Sequence, residues 1–279
     1  MKVAFLGPKG SFSHHVAQEA FPQADLVPYQ NITEVMKAYE GKEVDYSVVP
    51  VENSIEGSVH ETLDYLFHQA EIQAVAEIVQ PIKQQLLATG LDKPIEKVFS
   101  HPQALAQGKG YIRQHYPEAA IEITASTAYA ARFVAEHPDQ PIAPRTAAVE
   151  YGLQVVAQDI QEMEENFTRF WILGQTTPTL RLVKQEEKQS LALTLPDNLP
   201  GALYKALSTF AWRGIDLTKI ESRPLKTALG EYFFIIDIDN ERKELVDFAY
   251  QELATLGITF KILGSYPVFQ IQDYRLEQR

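Results

Sequence analysis

Over residues 1 to about 178, short apolar runs alternate with stretches whose apolar residues recur every three or four positions. Val3 to Leu6, Asp45 to Pro50, Ala74 to Val79, Gln85 to Ala88, Lys97 to Phe99 and Ile121 to Ile123 have the length and residue types of strands. Val59, Leu63, Leu66 and Phe67 fall at i, i+4, i+7 and i+8, which is one face of a helix. A further helix runs through Val16 and Ala20, with Ser11 or Ser13 as its cap. Strand and helix in turn predict an α/β fold with parallel-rich sheets. Ala74 to Val79, just before Pro81, reads as a crossover into a second lobe. Phe170-Trp171-Ile172-Leu173, closed by Gly174, reads as a return strand into the first. Two lobes joined in this way would enclose a cleft.

The pattern changes after a predicted linker, Thr176 to Thr179 with the charged run Lys184 to Lys188. Ser190 to Leu195 is a strand, and Pro200-Gly201 opens a helix through Leu203, Ala206, Leu207 and Phe210. Strands Leu217 to Ser222 and Tyr232 to Ile238, a helix from Glu244 to Leu256 and a strand from Thr259 to Leu263 complete the series. The order is βαββαβ, that of a small split-βαβ domain. Residues 270 to 279 read as a polar tail.

At 279 residues the chain is about two domains long and can bury a sizeable core. It has no cysteine, which excludes disulfides, thiolate catalysis and Cys-ligated zinc. The first residues form a strand pattern rather than a signal peptide, and no apolar run approaches a membrane span, so a soluble, cytoplasmic protein is expected. The net charge of −12, without a basic stripe, argues against nucleic acid as a partner. An anionic substrate would then have to be held by local donors, either helix-start N–H groups or a placed arginine.

Polar segments sit beside the strands and helix starts. Gly7-Pro8-Lys9-Gly10-Ser11-Phe12-Ser13-His14 follows the first strand and suits either an anion or a plain Ser-capped turn. Asn53 and Ser54, in Pro50 to Gly57, stand where the chain leaves the second strand, the usual ligand crevice of open α/β sheets. Asn53-x-x-Glu56 equally fits a helix cap with its capping-box partner. His101, in Ser100 to Gln107, either titrates near neutral pH or caps a helix. Ser126 or Thr127 is a cap hydroxyl, or the same helix start holds a carboxylate. Glu165 to Trp171 sets a carboxamide, a hydroxyl and a guanidinium, those of Asn166, Thr168 and Arg169, among three aromatic rings, where a loop is expected to enter the core.

Five strings resemble, in order, those of monofunctional bacterial prephenate dehydratases: residues 7–14, Pro50-x-Glu52-Asn53-Ser54, Ser100 to Leu105, Ser126-Thr127-Ala128 and Asn166-x-Thr168-Arg169-Phe170. Gly201-Ala202-Leu203 with Ala206-Leu207, and Glu221-Ser222-Arg223-Pro224, are similar to the motifs of that family's ACT regulatory domain. The departures are small: Ser11 stands where threonine is common and Gly108 where cysteine is often found.

The resemblance implies a two-lobed catalytic domain of the periplasmic-binding-protein type (type II) over 1–178 and a ferredoxin-like ACT domain over 189–266. It implies a carbon–oxygen lyase of L-phenylalanine biosynthesis that converts prephenate to phenylpyruvate. Aromatisation drives the loss of carbon dioxide and hydroxide, so no metal or cofactor is expected. Thr168 is implied as the donor to the leaving hydroxide. Ser11, Phe12, Ser13, Asn53, Ser54, Ser126, Thr127, Arg169 and Phe170 are the candidate substrate residues. Consecutive strand residues face opposite sides, so Arg169 ranks below Thr168. L-Phenylalanine is the implied effector, at Asn198, Leu199, Pro200, Gly201, Ala202 and Leu203 with Glu221, Ser222, Arg223 and Pro224. Pairing of ACT domains implies a homodimer or a dimer of dimers. Arogenate as the substrate, or a two-lobed sensor without catalysis, are the competing readings.

Overall fold

The structure, a computed structural model, describes residues 1–90, 94–136, 150–196, 200–225 and 232–271. It divides into two compact units. The first contains Met1–Thr62 and Val79–Phe170, with Ile271, and the second contains Leu63–Ile78 and Trp171–Gln270.

The first unit begins with β1 (Lys2–Leu6), α1 (Phe12–Ala20), β2 (Asp25–Tyr29), α2 (Ile32–Glu40), β3 (Tyr46–Asn53) and β4 (Gly57–Ser58). β1 lies between β2 and β3 and pairs parallel with both, Phe5 facing Pro28 on one side and Val48 on the other. Val3, Ala4, Phe5, Val35, Met36, Val48 and Val49 are fully buried there, as continuous apolar runs demand of strands covered by helices. β2 and α2 are elements beyond those predicted. Asp-Leu-Val-Pro-Tyr lacks an apolar run, and its Pro28 is tolerated because β2 ends the sheet.

The chain continues through α3 (His60–His68) and β5 (Gln73–Pro81), whose residues divide between the two units. The rest of the first unit has its own small sheets. β6 (Leu86–Ala88) pairs antiparallel with β9 (Gln154–Ala157), and β7 (Lys97–Ser100) pairs parallel with β8 (Ala120–Ile123). Around them lie α4 (Pro102–Gln107), α5 (Lys109–His115) and α6 (Thr127–Glu136). Neighbours on β6 feed different cores, Leu87 with Phe99, Ala131, Val134 and Leu153, and Leu86 with Val98, Leu105, Ile112 and Ile160. This is the strand alternation expected of an element buried on both faces. β10 (Phe167–Gly174) follows, its residues divided between the two units, and it begins three residues before the predicted strand and so contains Thr168 and Arg169.

The second unit continues with β11 (Val183–Thr194), α7 (Ala202–Ala211), β12 (Leu217–Pro224), β13 (Tyr232–Asp239), α8 (Lys243–Thr255) and β14 (Thr259–Gln270). This is the predicted βαββαβ order, with an antiparallel sheet β12-β13-β11-β14. Leu191, Leu193, Ala206, Phe210, Ile236, Ile238, Val246 and Leu253 form its core. The charged run Lys184 to Lys188 is strand and not linker. Its register with β14 runs from Val183 opposite Gln270 to Thr194 opposite Thr259, which also carries the last strand well past Leu263. The charges cost little because Lys184 pairs with Glu187, and Lys188 with Glu186, on the half-exposed stretch. The end of α3 belongs to this unit: Phe67 stacks on Phe233 at 3.8 Å, and Lys261 Nζ donates to the Phe67 and Ala70 carbonyls. Among the described residues no helix is long and apolar enough to cross a membrane.

Candidate active site

Parallel pairing of β1 with β3 places the loops that follow both strands at one end of the sheet, where open α/β sheets hold ligands. The start of β10 is held at the same end. The Ser54 N–H donates to the Phe167 carbonyl at 2.9 Å, and the Phe167 N–H donates to Ser54 Oγ at 3.0 Å. Ser11, Asn53, Ser54 and Thr168 are thereby gathered at one sheet end.

Asn53 is the hub of that group. Its Oδ1 accepts from the Ile55 and Glu56 N–H groups at 3.0 and 3.2 Å, so its Nδ2 must face the other way. Nδ2 donates to Asn166 Oδ1 at 2.8 Å, Thr168 Oγ1 at 2.9 Å and the Phe167 carbonyl at 3.1 Å. The turn formed by Asn53 closes the β3–β4 hairpin, and the next helix starts only at His60. The capping-box expectation for Asn53 and Glu56 is therefore wrong. The tight turn gives the N–H groups of Ile55 and Glu56 to the side chain that a helix cap would have used at its own start. Asn166 is 1% exposed, and among the described residues its Nδ2 has no partner. It lies inside the Asn-x-Thr-Arg-Phe string, and its side chain, unlike that of Phe167, bonds Asn53.

Arg169 turns from Thr168, as strand alternation requires, and its Nη1 meets Glu52 Oε2 at 2.6 Å. Glu52 and Asn53 alternate in the same way on β3, giving one pair per face. Phe170 is 2% exposed and belongs to the core. The Ser54 hydroxyl is committed to backbone, since besides accepting from Phe167 it donates to the Glu165 carbonyl at 3.4 Å.

The loop after β1 is locally held. Ser11 Oγ caps α1 by accepting from the His14 N–H at 3.2 Å, and it donates to the Leu6 carbonyl at 3.1 Å. That cap serves the third helical amide and leaves those of Phe12 and Ser13 at the helix mouth. The Ser13 side chain is buried at 5% exposure. His14 stacks on Phe5 at 4.9 Å and accepts at Nδ1 from the Gly10 N–H at 3.0 Å. Burial lowers its pKa below the ordinary 6.5, with Glu150 opposing and Lys9 and His15 reinforcing the shift.

Elsewhere in this unit Ser126 caps α6, accepting from the Tyr129 N–H at 3.0 Å, with Thr127 as the first helical residue. Thr124 follows β8 and donates its N–H to the Ser100 carbonyl, so the starts of α4 and α6 share one end of the β7–β8 sheet. His101 caps α4 through Nδ1 toward the Gln103 N–H at 3.4 Å, the capping alternative.

Of the candidate effector residues, Asn198 and Leu199 lie outside the described residues. Gly201 caps α7 with φ at 68°, a left-handed conformation that favours glycine. Pro200 precedes it, and Ala202 and Leu203 are the first two helical residues. Glu221 contacts Lys219 at 3.4 Å and Arg223 at 3.7 Å, while Ser222 and Pro224 are exposed. Arg223 is 7% exposed and its Nη2 meets Asp64 of α3 at 2.7 Å, a partner far away in sequence.

The profile of the prephenate dehydratase family matches residues 3–178. Prephenate dehydratase of Lactococcus lactis subsp. lactis is 51% identical over 278 residues, covering 98% of this chain and all of the relative. That of Bacillus subtilis is 40% identical over 285 residues, covering 97% of this chain and all of the relative. The crystal structure of the Arthrobacter aurescens enzyme in complex with L-Phe superposes with a TM-score of 0.80 at 32% identity, over 95% of this chain and 90% of that one. Three of the family's motifs meet at one sheet end around Asn53 and Thr168 and the other two lie at one end of the β7–β8 sheet, and on the profile and the relatives this chain belongs to the prephenate dehydratase family of lyases.

Proposed function

We propose that Thr168 donates to the hydroxide leaving prephenate, and one observation carries this assignment. Asn53 Nδ2 donates to Thr168 Oγ1, so inside the protein that oxygen acts as an acceptor and its own proton points elsewhere. The Asn53 flip is set by Ile55 and Glu56, which makes the polarity of the chain a property of the fold. As the ring C–O bond breaks, its electron pair leaves with the hydroxide and is met by the Thr168 proton. The electrons of the breaking C–C bond to the carboxylate enter the ring as carbon dioxide departs. A hydroxyl is a weak acid, so Thr168 acts as hydrogen-bond donor or relay, and such donors contribute about 10²- to 10⁴-fold.

In this reading the two carboxylates go to helix-start amides, those of Phe12 and Ser13 on α1 and of Thr127 and Ala128 on α6. The caps Ser11 and Ser126 support it, since each serves the third amide and leaves the first two available. Arg169, paired with Glu52, acts by bracing β10 against β3 and not by gripping substrate.

The division into a catalytic domain over 1–178 and an ACT domain over 189–266 belongs to the same reading, supported by the βαββαβ order. L-Phenylalanine is the feedback effector, its carboxylate at the α7 start. The left-handed Gly201 supports this by exposing the amides of Ala202 and Leu203. The ring of the effector requires apolar cover from a second copy, which favours a homodimer or a dimer of dimers, and the cytoplasm is the compartment that goes with this reading. The test is to supply purified protein with prephenate and with arogenate. Phenylpyruvate formed from prephenate is the expected outcome, and turnover of arogenate alone would overturn the substrate assignment.

A further inference from the structure

The ring of Tyr151 packs against the core of Leu87, Phe99, Ala131 and Leu153, while its hydroxyl donates to the Lys9 carbonyl at 2.8 Å. Lys9 lies in the loop that delivers Ser11 and Phe12 to the start of α1. That loop is also held by Gly7 N–H on the Tyr29 carbonyl, Gly10 N–H on His14 and Ser11 Oγ on the Leu6 carbonyl. Those three bonds are local to the β1–β2 region. The Tyr151 bond instead reaches the loop from the core that carries α6 and its Ser126 cap. A tyrosine ring set in a core has few torsions left, so its hydroxyl is a fixed point and not a flexible reach. Burial first, then Glu150, raises the phenol pKa, which keeps it a protonated donor across the neutral range.

We propose that Tyr151 is a positioning residue for the dehydration, setting the spacing between the start of α1 and the start of α6 so that one substrate can engage both. The proposal rests on the reading of those two helix starts as the carboxylate sites. Two-point binding is sensitive to spacing in a way that one-point binding is not. Prephenate carries two carboxylates and the product phenylpyruvate one, so the two ligands separate the effects.

Tyr151→Phe keeps the ring in the core and removes only the hydroxyl. Losing one neutral hydrogen bond corresponds to about a 2- to 13-fold change in an equilibrium. KM for prephenate should rise by up to that factor with kcat less affected and product inhibition by phenylpyruvate at the wild-type value, while the thermal midpoint falls by no more than one net hydrogen bond implies. Tyr151→Ala should show the same rise in KM together with a lower midpoint. An unchanged KM in Tyr151→Phe, or equal weakening of prephenate and phenylpyruvate, would overturn the positioning role. Thr168→Ala assayed alongside distinguishes the failures. An inactive Thr168→Ala with an unchanged Tyr151→Phe removes the spacing role of Tyr151 while the reading of Thr168 stands, whereas an active Thr168→Ala removes the site reading itself.

Discussion

Thr168→Val separates the stability of the site from its chemistry, because the hydrogen-bond count around Asn53 is uneven. A carboxamide nitrogen has two hydrogens. Three acceptors surround it, at 2.8 Å on Asn166, 2.9 Å on Thr168 and 3.1 Å on Phe167. Deleting the Thr168 hydroxyl leaves two acceptors for two hydrogens, so no buried donor is orphaned. The stability cost is then at most one net hydrogen bond, about 0.5–1.5 kcal/mol, and the added methyl offsets part of it. The loss of catalysis is larger. A positioned donor contributing about 10²- to 10⁴-fold corresponds to ~2.7–5.4 kcal/mol of barrier. Thr168→Val should therefore unfold in urea near the wild-type midpoint and yet form phenylpyruvate at least about 100-fold more slowly, mainly through kcat. Thr168→Ser keeps the oxygen and should stay within about 10-fold of wild type. A folded valine variant with near wild-type kcat would refute the role of Thr168, and so would a serine variant as slow as valine.

Three further outcomes follow from particular contacts. Burial lowers the His14 pKa below 6.5, so the unfolded chain takes up this proton first. Stability present above about pH 6.5 should be lost as pH falls below it, more steeply than in His14→Gln, and equal slopes in urea titrations would contradict this. Gly201 has φ at 68°, where a Cβ costs about 1–2 kcal/mol. Gly201→Ala should raise the L-phenylalanine concentration for half-inhibition by about 5-fold or more, and unchanged inhibition would place the effector elsewhere. A Cβ on Gly264 would lie 2.5 Å from the Ala74 carbonyl oxygen, so Gly264→Ala should cost about 1–3 kcal/mol or more by thermal unfolding, and a wild-type midpoint would deny that close approach.

What was legible in the sequence was local. Val3 to Leu6 and the run through Val48 announce β1 and β3 because strands covered on both faces must be apolar throughout. β2 escaped because an edge strand can carry Asp25 and Pro28, and the charged start of β11 escaped because its lysines pair on an exposed stretch. The site divides in the same way. The strings around Asn53 and Thr168 could be read, but the bond between these residues spans 115 positions, and nothing in either string shows which way the Asn53 amide turns.

Arg223 makes the same point about the effector. In sequence it is a cation in a motif, available to a carboxylate. In the fold it is buried against Asp64, 159 positions away. Removing one partner from a buried ion pair costs about 3–5 kcal/mol, because the other charge is left uncompensated. Typical allosteric couplings are only about 1–3 kcal/mol. An effector carboxylate at Arg223 would have to displace Asp64, whereas the α7 amides beside Gly201 can receive one without breaking that pair. The Asp64 pair makes Arg223 a tether between α3 and β12.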